Sequence, residues 1–360
     1  MGDIFNFLKV LYVFYFLFLC CFAGGLVSSF SKSFTRLFKL IVTLLVMAFL
    51  VRKLGWNQIL ATVLDADPLW LVASVAVFIA SGWLGVIQWE ILLKNRGIPL
   101  KFWNAFRLYF IGLFFNNFIM GGIVGDAVKV ASLKSRQGKG MAGLAATFLD
   151  RFAGLWAMCG FAVGGSIILL QRGALNNGKI GTAVLALLVT FVMFVGIMIF
   201  LVSKPMQSAF FRITDSMTFV SKLRVKEVIS EMLIEAGDFH VLGKVAFFSI
   251  ITQFFRIAVH ILVAAALGLL TVGNFQYFFI FVPLMAMLMT IPLPFGVREA
   301  VGGTLFALAG FPEHEAYVMG FLASLVGIGA SCLGGVFFVT DRMTTQGKKN
   351  EKSINCSSAA

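Results

Sequence analysis

Charge is the first thing this sequence lacks. Only 12% of its 360 residues are Asp, Glu, Lys or Arg, roughly half the share a soluble domain carries on its surface. Between the apolar runs there is no polar stretch long enough for a soluble domain of ordinary size. Histidine is scarce too, and His240, His260 and His314 lie far apart. The five cysteines, Cys20, Cys21, Cys159, Cys332 and Cys356, form no metal-binding or redox spacing. Four of them sit in apolar segments, where cysteine serves as a small hydrophobe. Neither a metal site nor a cofactor is therefore expected. Nucleophile–base motifs are missing: there is no Gly-x-Ser-x-Gly and no His-Glu-x-x-His. The chain is not expected to be an enzyme. Gly122 and Gly125 do not form a nucleotide loop, because no strand precedes them and no Gly-Lys-Ser/Thr follows.

What the chain has instead is hydrocarbon. Hydrophobic residues make up 60% of it, and the mean hydropathy is +0.96. Apolar segments run over residues 5–26, 37–51, 68–93, 102–119, 142–170, 180–202, 245–270, 275–291, 297–311 and 316–339. A helix needs about 20 apolar residues to cross ~30 Å of hydrocarbon. These runs are continuously apolar and lack the alternation of a barrel strand, so helices are the spanning element. The expected fold is all-α, a polytopic transmembrane helix bundle in the plasma or inner membrane. The segment 5–26 is longer than a signal-peptide core and has no clear cleavage site. It reads as an uncleaved extra span, with a mis-assigned start codon as the alternative.

The formal net charge is +13. The basic residues sit in short loops between apolar spans, so positive-inside topology explains them better than nucleic acid does. A basic inner face also attracts anionic lipid head groups. Two apolar runs, 102–119 and 275–291, are short and end in Gly- or Pro-rich breaks followed by charge. The first break is Met120-Gly121-Gly122-Ile123-Val124-Gly125-Asp126. The second is Pro292-Leu293-Pro294-Phe295-Gly296-Val297-Arg298-Glu299. Broken segments at matching places in two halves point to a transporter site. If both are re-entrant hairpins, the basic groups at Lys32–Lys39, Lys94–Arg107, Lys129–Lys139, the 204–244 loop and the tail all fall inside. Outside remain Arg52, Lys53, Arg172 and Lys179, with acidic Asp65, Asp67, Glu313 and Glu315. Halves at about 37–171 and 179–340 then form an inverted repeat. In that register Gly125-Asp126-Ala127-Val128-Lys129 pairs loosely with Gly296-Val297-Arg298-Glu299-Ala300. The 204–244 loop has apolar residues at helical spacing and reads as an amphipathic helix on the inner surface. Residues 342–360 read as a cytoplasmic tail.

Ionisable residues inside a bilayer cost ~2.5–3.5 kcal/mol each on insertion scales. They persist when paired or when they line a polar cavity. The candidates are Asp126, Lys129, Asp150, Arg151, Arg298 and Glu299, with Arg256 and His260 one helical turn apart. Asp126 either binds a cationic group, carries a proton, pairs with Arg298 or caps a helix. Arg298 and Glu299 open a half-helix, where an N-terminus plus arginine suits phosphate. Internal pairing is the alternative. Asp150 and Arg151 point to different helix faces, so each needs a partner elsewhere. Glu90, near the inner end of its span, either snorkels or pairs with Lys94 four residues on. The hairpin turns are assigned to Gly121, Gly122 and Gly125, and to Pro292, Pro294 and Gly296. The spacings Gly121/Gly125 and Gly160/Gly164 suit close helix packing.

At the two breaks the sequence resembles the transmembrane region of lysylphosphatidylglycerol synthases, a flippase-like membrane family. The resemblance rests on three motifs in order. The first is the glycine-rich turn ending at Gly125-Asp126 with Lys129 three positions on. The second is Leu149-Asp150-Arg151. The third is Pro292 to Gly296-Val297-Arg298-Glu299, with Gly310 and Glu315 beyond. It covers residues from about 37 to 339. Met120 replaces the usual proline, Val124 the first glycine of Gly-Gly-Asp, and Lys129 the usual arginine. The family implies a lipid-translocating membrane part, with aminoacyl transfer in a separate soluble domain. That soluble domain is expected to be absent, since the chain ends at Ala360.

The resemblance thus implies a translocase for a polar glyco-, phospho- or polyprenyl-linked lipid. The alternative is a membrane subunit or scaffold of a lipid-modifying enzyme. The partners implied are membrane lipids, with no nucleic acid; a second copy or a lipid-biosynthetic protein stays open.

Overall fold

The computed structural model describes residues 55–118, 124–171, 238–288 and 297–357, together with positions 48, 52 and parts of 185–208. The expected segments 5–26 and most of 37–51 lie outside the described residues. So do most of the 204–244 loop and the turn residues Gly121, Gly122, Pro292, Pro294 and Gly296. Everything described in regular structure is helical. In order come α1 (Trp56–Leu64), α2 (Pro68–Asn95), α3 (Phe102–Phe118), α4 (Val124–Gln137) and α5 (Gly140–Gln171). Then follow α6 (Phe239–Ala266), a 3-10 turn (Phe275–Tyr277), α7 (Phe278–Leu288), α8 (Val297–Leu308) and α9 (Glu313–Ser357).

Four of the described helices are long and apolar enough to cross a membrane: α2, α5, residues 240–266 of α6 and residues 313–341 of α9. The chain is a multi-pass membrane protein of all-α class. The pairs α3/α4 and α7/α8 differ from these spans. Their helices have 17, 14, 11 and 12 residues. At 1.5 Å per residue their described lengths are about 17–26 Å, against a ~30 Å core. Short helices in consecutive pairs are what re-entrant hairpins require. Each pair stands between two long spans: α2, hairpin, α5, and then α6, hairpin, α9.

The described chain forms two compact units. The first holds the described residues up to Val77, those of Met158–Val192 and those of Phe254–Val326. The second holds Phe78–Ala157, those of Met193–Gln253 and those from Gly327 on. Membership follows a mirrored order. In the first half, α2 runs from the first unit into the second, the α3/α4 hairpin belongs to the second, and α5 returns. In the second half, α6 runs from the second unit into the first, the α7/α8 hairpin belongs to the first, and α9 returns. That is the chain order of an inverted repeat.

Helix ends repeat as well. After α2, Gly97 takes φ 60° and Ile98 N–H donates to Leu93 O at 2.9 Å. After α6, Gly268 takes φ 66° and Leu269 N–H donates to Ala264 O at 2.9 Å. Both are Schellman caps, in which only glycine adopts the left-handed conformation without strain. Gly138 after α4 and Gly310 after α8 again match, with φ 71° and 93°.

In the second unit α3 is the packing centre. Glycines of three helices bring their backbones against it. A Cβ on Gly125 of α4 would lie 1.8 Å from Gly112 O, and one on Gly334 of α9 would lie 1.9 Å from Phe110 O. On α2, a Cβ at Gly85 would lie 2.3 Å from the Tyr109 hydroxyl. In lipid, such contacts and the dispersion they allow supply much of the helix association. Gly160 and Gly164 play no such part: a Cβ at either meets nothing within 4 Å. The neighbouring Gly165 does, against Phe279 and Ile280 of α7 in the first unit. There the core is aromatic, with Phe306 4.8 Å from Phe278, and 5.2 Å from both Phe281 and Phe311, between ring centroids.

Candidate functional site

The second unit contains a compact cluster of charges. Asp126 is the third residue of α4, inside the helix rather than at its cap, so its carboxylate is available for other partners. One oxygen accepts from Arg151 Nε of α5. The other lies 3.0 Å from Lys129 Nζ, one turn along α4, as an ion pair outside hydrogen-bond geometry. The Lys129 side chain is 5% exposed, Asp126 14% and Arg151 37%. Burial therefore grades outward from the lysine to the arginine, and Arg151 is the most exposed of the three.

A buried ammonium needs compensation, since desolvation costs several kcal/mol per ion. Lys129 finds it in Asp126 and in two rings. Its Nζ lies 4.8 Å from the Tyr109 ring centroid and 5.2 Å from that of Trp89. Each such cation–π contact is worth about 0.5–2 kcal/mol. The rings are fixed in turn. Trp89 Nε1 donates to Thr147 Oγ1 at 3.2 Å, deep in the unit. Asp150 faces α2, where its Oδ1 accepts from Gln88 Nε2 at 2.9 Å. Asp150 and Arg151 thus engage different helices, as their adjacency on α5 requires. The start of α4 is held by Asn116, whose Oδ1 accepts from Gly125 N–H at 2.7 Å. Glu90 pairs with Lys94 at 2.9 Å.

The first unit holds a related arrangement. Glu299 is the third residue of α8, as Asp126 is of α4. Both acids are followed by Ala-Val, and both helices begin with valine. The helix starts therefore align Val124-Gly125-Asp126-Ala127-Val128 with Val297-Arg298-Glu299-Ala300-Val301. This corrects the looser register read from the sequence, which set Gly125 against Gly296. The buried Glu299 carboxylate accepts from Ser324 Oγ of α9. Its partner lies 25 residues further along the chain, the same separation as between Asp126 and Arg151. The two acids are repeat equivalents. Where the first has an arginine partner, the second has a serine. Where the first has Lys129, the second has Gly302. Beside it, Thr304 Oγ1 and Tyr317 OH are 2.8 Å apart. Arg298 is a helix residue of α8, and its side chain lies outside the described residues.

Of the residues singled out from sequence, the structure brings Asp126, Lys129 and Arg151 together, with Asp150 next to them on Gln88. Glu299 belongs to the other unit and is described with that unit. Sequence reasoning missed Gln88, Trp89, Tyr109, Asn116, Thr147 and Ser324. For Ser324 a signal existed: with the Val-x-acid-Ala-Val register, it falls where Arg151 stands. Arg256 and His260 do share a face, and the His260 ring nitrogen Nδ1 lies 3.1 Å from Arg256 O.

Comparison with curated proteins and with solved structures gives no match. The family model described as the lysylphosphatidylglycerol synthase TM region matches residues 36–334, a range that includes the charge cluster, its repeat twin and both hairpins. With most of its length matched, the chain belongs to the lysylphosphatidylglycerol synthase transmembrane-region family, and is an integral membrane protein related to lipid modification or transport.

Proposed function

We propose that the protein translocates a polar lipid whose head group engages Arg151 while its acyl chains stay in the bilayer. The carrying observation is the graded cluster that Asp126 and Lys129 of α4 form with Arg151 of the spanning helix α5. Short hairpins with buried charge suit a substrate that must pass polar groups through a low-dielectric layer. Arg151 offers a planar, permanently charged donor set suited to phosphate or carboxylate. Asp126 and Lys129 hold that arginine in place and keep the remainder of the cluster charge-compensated.

The substrate class is therefore an anionic or zwitterionic glyco-, phospho- or polyprenyl-linked lipid, in the plasma or inner membrane. The basic helix ends of the second unit, including Lys94, Arg96, Lys134 and Lys139, favour its placement on the cytoplasmic side. Transport rather than catalysis is the activity proposed.

The test is two-sided lipid exchange in reconstituted vesicles, with retained lipids identified by native mass spectrometry. Wild type should exchange and retain one lipid class. Arg151→Gln, folded by its thermal transition, should lose both. Unchanged exchange in Arg151→Gln refutes the role given to that residue. A change of lipid mass without exchange refutes transport and favours a lipid-modifying activity.

A further inference from the structure

α1 is not among the segments expected from sequence. Its nine residues are too few to span a membrane. Trp56, Leu60 and Leu64, each four residues apart, share one face and are 62%, 44% and 73% exposed. Ile59, Thr62 and Val63 are half-buried on the neighbouring face, Gln58 is exposed on the side away from the strip, and Asn57 stands at the strip's border beside Leu64. One short helix thus carries three strips: one against its own unit, one apolar and uncovered, one polar.

Its depth is fixed by the ends of three spanning helices, all within the first unit. Leu64 is separated from Pro68, the first residue of α2, only by Asp65-Ala66-Asp67. Asp67 Oδ1 accepts from Leu69 N–H at 2.8 Å and so caps α2. The Asp67 N–H donates to Ala266 O, the last residue of α6, at 2.9 Å. Thr62 Oγ1 lies 3.1 Å from His314 Nε2, in the first turn of α9. Leu69, Trp70 and Val72 at the start of α2 are exposed apolar residues as well. A helix held where three spans leave the hydrocarbon, with tryptophan on its apolar strip, has the features of an interfacial helix.

We propose that α1 lies in the head-group layer of the protein's own bilayer, with Trp56, Leu60 and Leu64 in the acyl boundary and Gln58 in water. The occupant of the apolar strip is lipid. Attachment to the ends of α2, α6 and α9 selects lipid over a protein partner, because those ends hold α1 at the level where the spans leave the hydrocarbon.

The experiment uses the full chain in phosphatidylcholine vesicles and compares the fluorescence of wild type with that of Trp56→Phe. The difference spectrum isolates Trp56. It should be blue-shifted, quenched by lipids brominated near the head group, and protected from aqueous iodide. Iodide quenching without bromolipid quenching overturns the proposal. A second measurement covers the case of a variant that fails to fold. Leu60→Cys and Gln58→Cys are labelled in native membranes with a soluble maleimide, above the background of the chain's own cysteines. Gln58→Cys should label and Leu60→Cys should be protected. Equal labelling of both overturns the proposal. Protection of Leu60→Cys that is lost on dilution in detergent, with a matching drop in oligomer mass, assigns the strip to a second copy and also overturns it.

Discussion

Gly125→Ala isolates the contact that closes the first hairpin. The added methyl carbon would lie 1.8 Å from Gly112 O, 2.6 Å from Gly112 C and 2.8 Å from Asn116 Cγ. Ordinary carbon contacts begin at about 3.5 Å, so α3 and α4 must part by roughly 1.5 Å. The obstacle is backbone, so no rotamer change relieves it. Overpacking of this kind costs about 1–3 kcal/mol. Separation also breaks the Asn116–Gly125 bond of 2.7 Å, which leaves a buried donor unmet at about 1–3 kcal/mol. Alanine's better helix propensity returns up to ~1 kcal/mol. The net loss is about 2–4 kcal/mol, or roughly a 30- to 1000-fold shift in equilibrium. Gly160→Ala is the control, because nothing lies within 4 Å of its added carbon. Cys159 is buried, so in a background with the other four cysteines replaced its reaction with a thiol dye on heating reports unfolding. Gly125→Ala should lower the thermal midpoint well below wild type, and Gly160→Ala should leave it level or raise it. Equal midpoints for the two variants would refute the claim that the glycine contact closes the hairpin.

Gly334→Ala should behave like Gly125→Ala, since its carbon would meet Phe110 O at 1.9 Å; the same dye-monitored transition checks it. Lys129→Met leaves Asp126 with one cation instead of two, and should cost about 1–3 kcal/mol in that assay and slow lipid exchange. A double-mutant cycle of Asp126→Asn with Arg151→Gln should give a coupling of about 0.5–3 kcal/mol, and simple additivity would show that their contact carries no energy. Ser324→Ala removes a buried donor to Glu299 and should destabilise by about 1–3 kcal/mol, with Ser324→Thr restoring most of it.

The spanning helices were legible because bilayer thickness imposes one length and one composition on them. Residues 68–93 and 142–170 were read from apolarity alone, and α2 and α5 occupy Pro68–Asn95 and Gly140–Gln171. The two broken segments were legible for the opposite reason: their apolar runs are short and their breaks carry charge. α1 was missed because nine mixed residues fall below any span criterion and its amphipathic strip needs the structure to show what each face meets. The charge cluster was half legible. Asp126, Lys129 and Arg151 stand out because charge is rare in this chain. Trp89 and Tyr109 do not, because they are two aromatics among many in a chain that is 14% aromatic, and only packing selects them.

The repeat explains why two similar acids should have different chemistry. An internal repeat supplies the same backbone twice: a valine-led helix, an acid in its third position and a partner 25 residues on. What differs is the side chain opposite. In the second unit the acid is met by Arg151 and Lys129, so the carboxylate is held between two cations. In the first unit a serine hydroxyl meets Glu299 in the repeat-equivalent position, and glycine stands in place of the lysine. A serine cannot bind an anionic head group as a guanidinium does, because it brings no charge. If head-group binding were a property of the hairpin backbone, the two halves would bind alike and Ser324→Ala would impair lipid retention as much as Arg151→Gln. On the side-chain chemistry, lipid retention should depend on Arg151, while Ser324→Ala should act on stability.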